Sequence, residues 1–228
     1  INNKSIKLIK YYQLINYNLI YNNQPINRYK NFNKISINKV ENLNKLKKMI
    51  ANIKNCELKK NAKNIVFADG NPEAKIMLIG EGPGANEDKE GIPFVGRAGI
   101  LLDKMLGSIN LNRNNVYITN VVNYRPPENR KPTDEEIERY LPYLKKHIEI
   151  IKPKIIVLLG STALNSLIGK NDVISKARGK WMEKNFENFK TWLIVTFHPA
   201  YLMRQPTQKK LAWVDLKMIR DLKSKLNL

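Results

Sequence analysis

Cysteine occurs once in these 228 residues, as Cys56, which excludes an internal disulfide and leaves no set of thiolates for a zinc or iron–sulfur site. A reducing compartment, the cytoplasm, is the expectation. Acidic residues are scarce as well: 20 Asp and Glu stand against 40 Lys and Arg, giving a formal charge of +20. The first acid in the chain is Glu41. Histidine occurs only twice, as His147 and His198. No apolar stretch approaches the ~20 residues that cross a bilayer, so a soluble protein with no membrane partner is expected. A basic excess on this scale points to a polyanionic partner, nucleic acid above all. Compositional drift toward Lys, Asn and Ile is the competing reading, and the two are compatible.

Residues 1–40 are dense in Asn, Ile, Tyr and Lys and carry no period long enough to define a core element. They read as an appended, weakly ordered arm. A targeting segment is the alternative, although Lys and Asn stand where Arg and Ser are usual. The globular domain is placed at residues 41–228. There Leu43, Leu46, Met49, Ile50 and Ile53 recur at helical spacing. Residues 75–79, 116–119, 155–159 and 192–197 read as four apolar strands. Between them fall helices at 99–106, behind a Thr133–Glu136 capping box, through Leu167 with Ser161 as cap, and over 211–226. Alternating strands and helices predict an α/β fold, a three-layer αβα arrangement around a central, mainly parallel four-stranded sheet.

In open sheets of this kind ligands bind beyond the carboxyl ends of the strands. Two loops lie there: Gly80-Glu81-Gly82-Pro83-Gly84 and His198-Pro199-Ala200-Tyr201-Leu202. Gly80-x-Gly82-x-x-Ala85 fits a loose dinucleotide fingerprint, with Asp103 near the position of a ribose-binding acid. The polar run 86–91 does not read as a helix opening directly after the turn, which counts against pyrophosphate binding. His147, in Lys145-Lys146-His147, reads as a solvated helix-surface residue, whereas His198 follows a buried strand and is stiffened by Pro199. A place in the core for Phe94 and a strand-end turn for Asn120 are the competing readings of those two residues.

Read together, these segments carry a resemblance. Gly80-Glu81-Gly82-Pro83-Gly84, Glu87-Asp88, the run from Gly91 to Gly99 and Leu101-Leu102-Asp103 resemble the first motif block of family 4 uracil-DNA glycosylases. Thr119-Asn120-Val121-Val122 with Arg125-Pro126-Pro127 and Asn129-Arg130 resembles the second block, and His198 through Arg204 the third. The match runs in order from about residue 43 to 222. The resemblance implies a DNA repair enzyme that flips uracil out of DNA, hydrolyses its N-glycosidic bond and leaves an abasic site. Its partner would be uracil-containing DNA, and a monomer would suffice.

On that footing Asn120 reads the base edge, since its amide can accept from uracil N3–H and donate to O4. Phe94 stacks on the base, Gly82 lines the substrate site, and His198 faces the charge that develops on O2. Glu81 orients water or steadies the cationic sugar, with Glu87 and Asp88 behind it. Some relatives carry aspartate where this chain has Gly82, and tyrosine where it has Gly84. Leu202 is expected to enter the gap left by the flipped nucleotide, and Arg204, Arg125 and Arg97 to hold DNA. The family usually holds a [4Fe–4S] cluster on four cysteines. Here Cys56 matches one position and Ile53, Tyr124 and Tyr140 occupy the others, so no cofactor is expected. A non-catalytic DNA-binding module that retains the fold is the alternative from another class.

Overall fold

Inner strands that are apolar on both faces decide the layering. The computed structural model describes residues 28–169 and 172–228, with side chains from residue 38 onward. In chain order the first elements are α1 (Arg28–Ala51), α2 (Glu57–Asn61), β1 (Asp69–Gly70), β2 (Ile76–Gly80), α3 (Ala85–Glu90) and α4 (Arg97–Gly107). Next come β3 (Tyr117–Asn120), α5 (Asp134–Ile151), β4 (Ile155–Leu159), α6 (Ser161–Leu167) and α7 (Ile174–Ala177). The chain closes with β5 (Trp181–Phe186), β6 (Phe189–Thr196), α8 (Pro199–Arg204) and α9 (Lys209–Lys225).

Among the described residues the sheet has six strands in the order β1-β3-β2-β4-β6-β5, not the four expected. The inner four, β3-β2-β4-β6, are parallel and match the four expected runs. Both additional strands are antiparallel edges. β1 is two residues long, too short to leave a pattern in sequence. β5 is half-exposed along its length and reads WMEKNF, with neither a continuous apolar run nor strict alternation.

Because side chains alternate across a strand, each inner strand feeds two cores. Met77 and Ile79 of β2, Ile156 and Leu158 of β4, and Leu193 and Val195 of β6 pack with residues 43–50 of α1 and with α5 and α6. Ile76 and Leu78, Ile155 and Val157, and Ile194 face the other way, toward α4, α8 and α9. Helices therefore cover both faces of the sheet, and the strand edges that matter for function are the carboxyl ends.

Three local readings are revised. α1 begins at Arg28, so its first turns lie inside the segment read as lacking a regular element; residues 1–27, the rest of the expected arm, lie outside the described residues. Gly160, not Ser161, caps α6. A helix does open directly after the glycine turn: α3 is capped at Gly84, where the Glu87 carboxylate accepts from the Gly84 N–H at 3.1 Å and the Gly96 N–H at 2.8 Å. That carboxylate takes up N–H groups at the helix start that an anion would otherwise meet. The Thr133–Glu136 capping box forms as expected, with Glu136 N–H donating to Thr133 Oγ1 at 3.2 Å and Thr133 N–H to Glu136 Oε2 at 2.7 Å.

Candidate active site

Parallel register brings the motif loops to one level. Gly80 at the end of β2 lies opposite Asn120 at the end of β3, and Leu159 of β4 lies opposite Thr196 of β6. Glu81 follows Gly80 directly, Asn120 is itself a functional candidate, and His198 lies two residues beyond Thr196. Gly80 is required by close approach: a Cβ there would be driven into Asn120 Oδ1 and the Phe94 ring. Gly160 has φ +94°, a left-handed conformation that favours glycine, and its absent side chain would lie 3.0 Å from His198 Cβ. These two residues let the aromatic, the amide and the imidazole crowd together.

The result is a cavity of about 160 Å³ lined by Glu81, Gly82, Phe94, Asn120, His198 and Ala200, with Pro126, Arg130 and Pro132 among its further walls. That is below the ~300–1,000 Å³ of sites for drug-sized ligands and suits one small ring. Phe94 is 5 % exposed, and its ring centroid is 5.6 Å from that of His198 at an interplanar angle of 31°. Asn120 is 3 % exposed, and its Oδ1 has no hydrogen-bond partner among the described residues. A buried acceptor left unpaired costs about 1–3 kcal/mol, so this atom is placed to meet a donor that arrives with a ligand.

His198 caps α8. Its Nδ1 accepts from the Ala200 N–H at 3.2 Å, which assigns the proton of the neutral ring to Nε2. Burial, aided by the nearby charge of Arg204 and opposed by Glu87, pushes its pKa down to about 4. At neutral pH the ring is thus an uncharged N–H donor. Glu81 reaches across to α6, where the Thr162 hydroxyl donates to its Oε2.

Five expected residues thus share one cavity: Glu81, Gly82, Phe94, Asn120 and His198. Four expected DNA contacts lie outside its lining. Arg97 and Arg204 are exposed, and Arg125 donates from Nε to Asn129 Oδ1 at 2.8 Å. Leu202 is 1 % exposed and belongs to the core beneath α8, so it is not placed to enter DNA. The helical turn after Pro199 points it inward while Tyr201 and Met203 stay partly exposed. Asp88 is likewise withdrawn from chemistry, buried and accepting from the Lys63 and Asn64 N–H groups at 2.8 and 3.2 Å. Asp103 bonds Arg113 instead of serving as a ribose acid. His147 is 2 % exposed, the reverse of the surface reading; it lies 2.8 Å from Tyr117 Oη and stacks on Phe67, and burial pushes its pKa down to about 3.

Sequence reasoning gave no role to three side chains here. Thr162 orients Glu81. Its place just past the end of β4 is the signal that could have found it, since the other site residues also sit beyond inner strands. Arg130 lines the cavity while held by Glu136 at 2.7 and 2.8 Å. Arg113 donates to the Phe94 carbonyl and, at 3.1 Å, to the Pro93 carbonyl. It is itself gripped by Asp69 at 2.6 Å and Asp103 at 2.9 Å. Phe94 has φ +55°, costly for a bulky residue, and Arg113 holds its backbone there.

Comparison with known proteins agrees with this geometry. The profile of the uracil DNA glycosylase superfamily matches residues 67–223. A type-4 uracil-DNA glycosylase of Sulfurisphaera tokodaii is 43 % identical over 182 residues, 78 % of this chain and 83 % of that protein. The chain belongs to the type-4 family of uracil-DNA glycosylases. The type-4 protein of Archaeoglobus fulgidus is 41 % identical over 177 residues, 76 % of this chain and 89 % of its own. That of Thermotoga maritima is 46 % identical over 155 residues, 65 % of this chain and 77 % of its own.

As a type-4 glycosylase the chain departs from its family at the cluster. Four thiolates are needed, and the sequence has one cysteine. Cys56 Sγ lies 3.3 Å from Tyr140 Oη, and Ile53, Cys56, Tyr124 and Tyr140 are all buried in the core shared with α5. Burial, reinforced by the Cys56 thiol, raises the pKa of both tyrosines, so their phenols stay neutral. These residues do not fit an iron–sulfur cluster; they make a packed aromatic corner in its place.

Proposed function

We propose that this protein excises uracil from DNA by hydrolysing the bond between base and deoxyribose, leaving an abasic site. The observation that carries this reading is the unpaired, buried Asn120 carbonyl beside an aromatic ring and a neutral imidazole donor. Uracil offers the complement: an N3–H donor flanked by the acceptors O2 and O4. Asn120 Oδ1 accepts from N3–H, its Nδ2 donates to O4, and Phe94 stacks on the ring. Cytosine presents the opposite pattern at both positions, and each mismatch leaves a buried polar group unpaired at about 1–3 kcal/mol. Flipping is obligatory, because the bond is out of reach inside the duplex.

When the C1′–N1 bond breaks, its electron pair moves into the base and negative charge gathers on O2. The Nε2–H of His198 donates to that oxygen, and a fixed donor of this kind is worth roughly 10²–10³-fold in rate. The sugar is left electron-poor at C1′. Glu81, its carboxylate oriented by Thr162, steadies that centre and directs the water whose oxygen forms the new bond to C1′. The water's proton passes to the carboxylate and on to solvent, and uracil leaves as an anion that solvent protonates. Arg97, Arg125 and Arg204 hold backbone phosphates. With one thiol available, the fold is held by the Tyr124–Tyr140–Cys56 corner and needs no cluster.

The test is excision from a labelled oligonucleotide carrying one uracil, followed by alkaline cleavage, without added metal. Cleavage by the parent, reduced roughly 10²–10³-fold in His198→Ala while DNA affinity is retained, supports the reading. Binding without cleavage by the parent makes the protein a non-catalytic DNA-binding module.

A further inference from the structure

His198 is carried by the two residues before it, Thr196 at the end of β6 and Phe197. The ladder between β4 and β6 stops at Thr196, so the chain must be held there by other means. A buried ion pair behind the loop does this. Asp215 of α9 is fully buried, and its Oδ2 accepts from the Thr196 hydroxyl at 2.7 Å. Arg178, just after α7, donates from Nε to that same oxygen at 3.1 Å and from Nη2 to the other one. Its Nη2 also donates to the Leu211 carbonyl at 2.6 Å. The guanidinium carbon lies 5.4 Å from the centroid of the Phe197 ring, which packs in turn on Tyr201 at 5.1 Å. Gly179, next in the chain, donates its N–H to the Val195 carbonyl at 3.3 Å. Arg178 and Asp215 thus grip Thr196 through its hydroxyl and Phe197 through its ring, and neither of the pair lines the cavity.

We propose that Arg178 and Asp215 are positioning residues for excision, holding Thr196 and Phe197 so that the His198 Nε2–H meets uracil O2 as charge develops there; the inference rests on the uracil-excising reading above. Both residues lie outside the three motif blocks. A buried ion pair contributes little net stability, because the cost of desolvating both charges offsets their attraction. What it fixes is direction: a guanidinium fork on a carboxylate adds geometric specificity that an apolar pair of similar volume lacks. A donor stabilises developing charge only when it is already in place and need not reorganise. The imidazole has its own bond to the Ala200 N–H, which sets the ring's tautomer, while the ion pair sets where the loop presents it.

The test is a double-mutant cycle on the full chain, read by excision kinetics. Arg178→Met combined with Asp215→Leu removes both charges and leaves none unpaired. This change should lower kcat about tenfold, as a small misplacement of a catalytic group does, with KM within about twofold of the parent. Made in a His198→Ala background, the same change should alter kcat by less than about twofold, because residues that act through one group are not additive. Should the apolar pair fail to fold, Thr196→Val carries the same cycle with the ion pair intact, and its loss of about threefold should likewise vanish without His198. An unchanged kcat, or a loss that persists in full when His198 is absent, would overturn the positioning role and leave the glycosylase reading standing. A parent that does not excise uracil would remove that reading and this inference with it.

Discussion

At the scale of single residues, the protonation of His198 decides the chemistry. A pKa near 4 means that the ring is neutral throughout the physiological range and that no charge change occurs near its ordinary value of 6.5. Single-turnover excision should therefore show no inflection attributable to this group between about pH 5 and 8, and should fall only as the pH approaches the folded-state value from above. A rate that climbs as the pH drops through 6.5 would instead identify an imidazolium as the active form. Asn120 makes a separable contribution. Asn120→Asp keeps the shape but replaces the Nδ2 donor with a carboxylate oxygen facing uracil O4. Uracil excision should drop by a factor corresponding to about 1–3 kcal/mol, with measurable release of cytosine from an otherwise identical oligonucleotide. Unaltered base preference would remove Asn120 from recognition.

At the scale of elements, the site depends on how loops are fastened to the ends of strands. Arg113, just before β3, ties down the carbonyls of Pro93 and Phe94 from behind the cavity. Arg113→Met keeps the aliphatic stem and releases Phe94 from a backbone conformation that costs about 1–3 kcal/mol to hold. KM and the inhibition constant of free uracil should both rise while kcat changes less; a lower melting temperature with binding intact would make Arg113 purely structural. The aromatic corner gives a second test. Tyr140→Phe removes the hydroxyl that meets Cys56 and should cost about 0.5–1.5 kcal/mol in urea unfolding, and an iron chelator should leave parent stability and excision unchanged. Loss of either on chelation would contradict a fold held without metal. Much of this was legible in sequence: four buried strands left continuous apolar runs, and the motif residues that line the cavity lie in the loops beyond them. The short elements were not. β1 and α3 are too brief or too polar to show a period, and their stability comes from ladder bonds and the Glu87 cap. His147 was obscured by two neighbouring lysines, although Tyr140, Leu144, His147, Ile148 and Ile151 fall on one helical stripe and are all buried. Leu202 was misjudged because a loop was expected where α8 forms, and a helical turn decides which of three adjacent apolar residues faces inward.

At the scale of the whole molecule, the question is whether the +20 charge is a working surface or a habit of composition. The two readings differ in arrangement. Compositional lysines would be spread evenly among acids, whereas the acids here are largely engaged: Asp69 and Asp103 by Arg113, Glu136 by Arg130, Glu73 by Lys39, and Asp215 by Arg178. Arg130, the cation that lines the cavity, is itself paired with Glu136, whereas the surface groove bordered by Arg97, Lys104 and Lys209 has no carboxylate in its lining. A surface built this way gathers DNA before any base is read. Binding should therefore be strong and indifferent to sequence at low salt and should weaken steeply as salt rises, because each neutralised phosphate releases condensed counterions with a slope of about 0.9 on duplex and 0.7 on single strands. Uracil should add little to that slope, since recognition of the flipped base is made by the neutral groups Asn120, His198 and Phe94. The check is affinity for matched oligonucleotides with and without uracil across a salt series. Parallel lines offset by a constant would assign docking to charge and selectivity to the cavity. A flat salt profile would make the charge compositional, and a slope that changes with uracil would mean that the cavity itself neutralises phosphate.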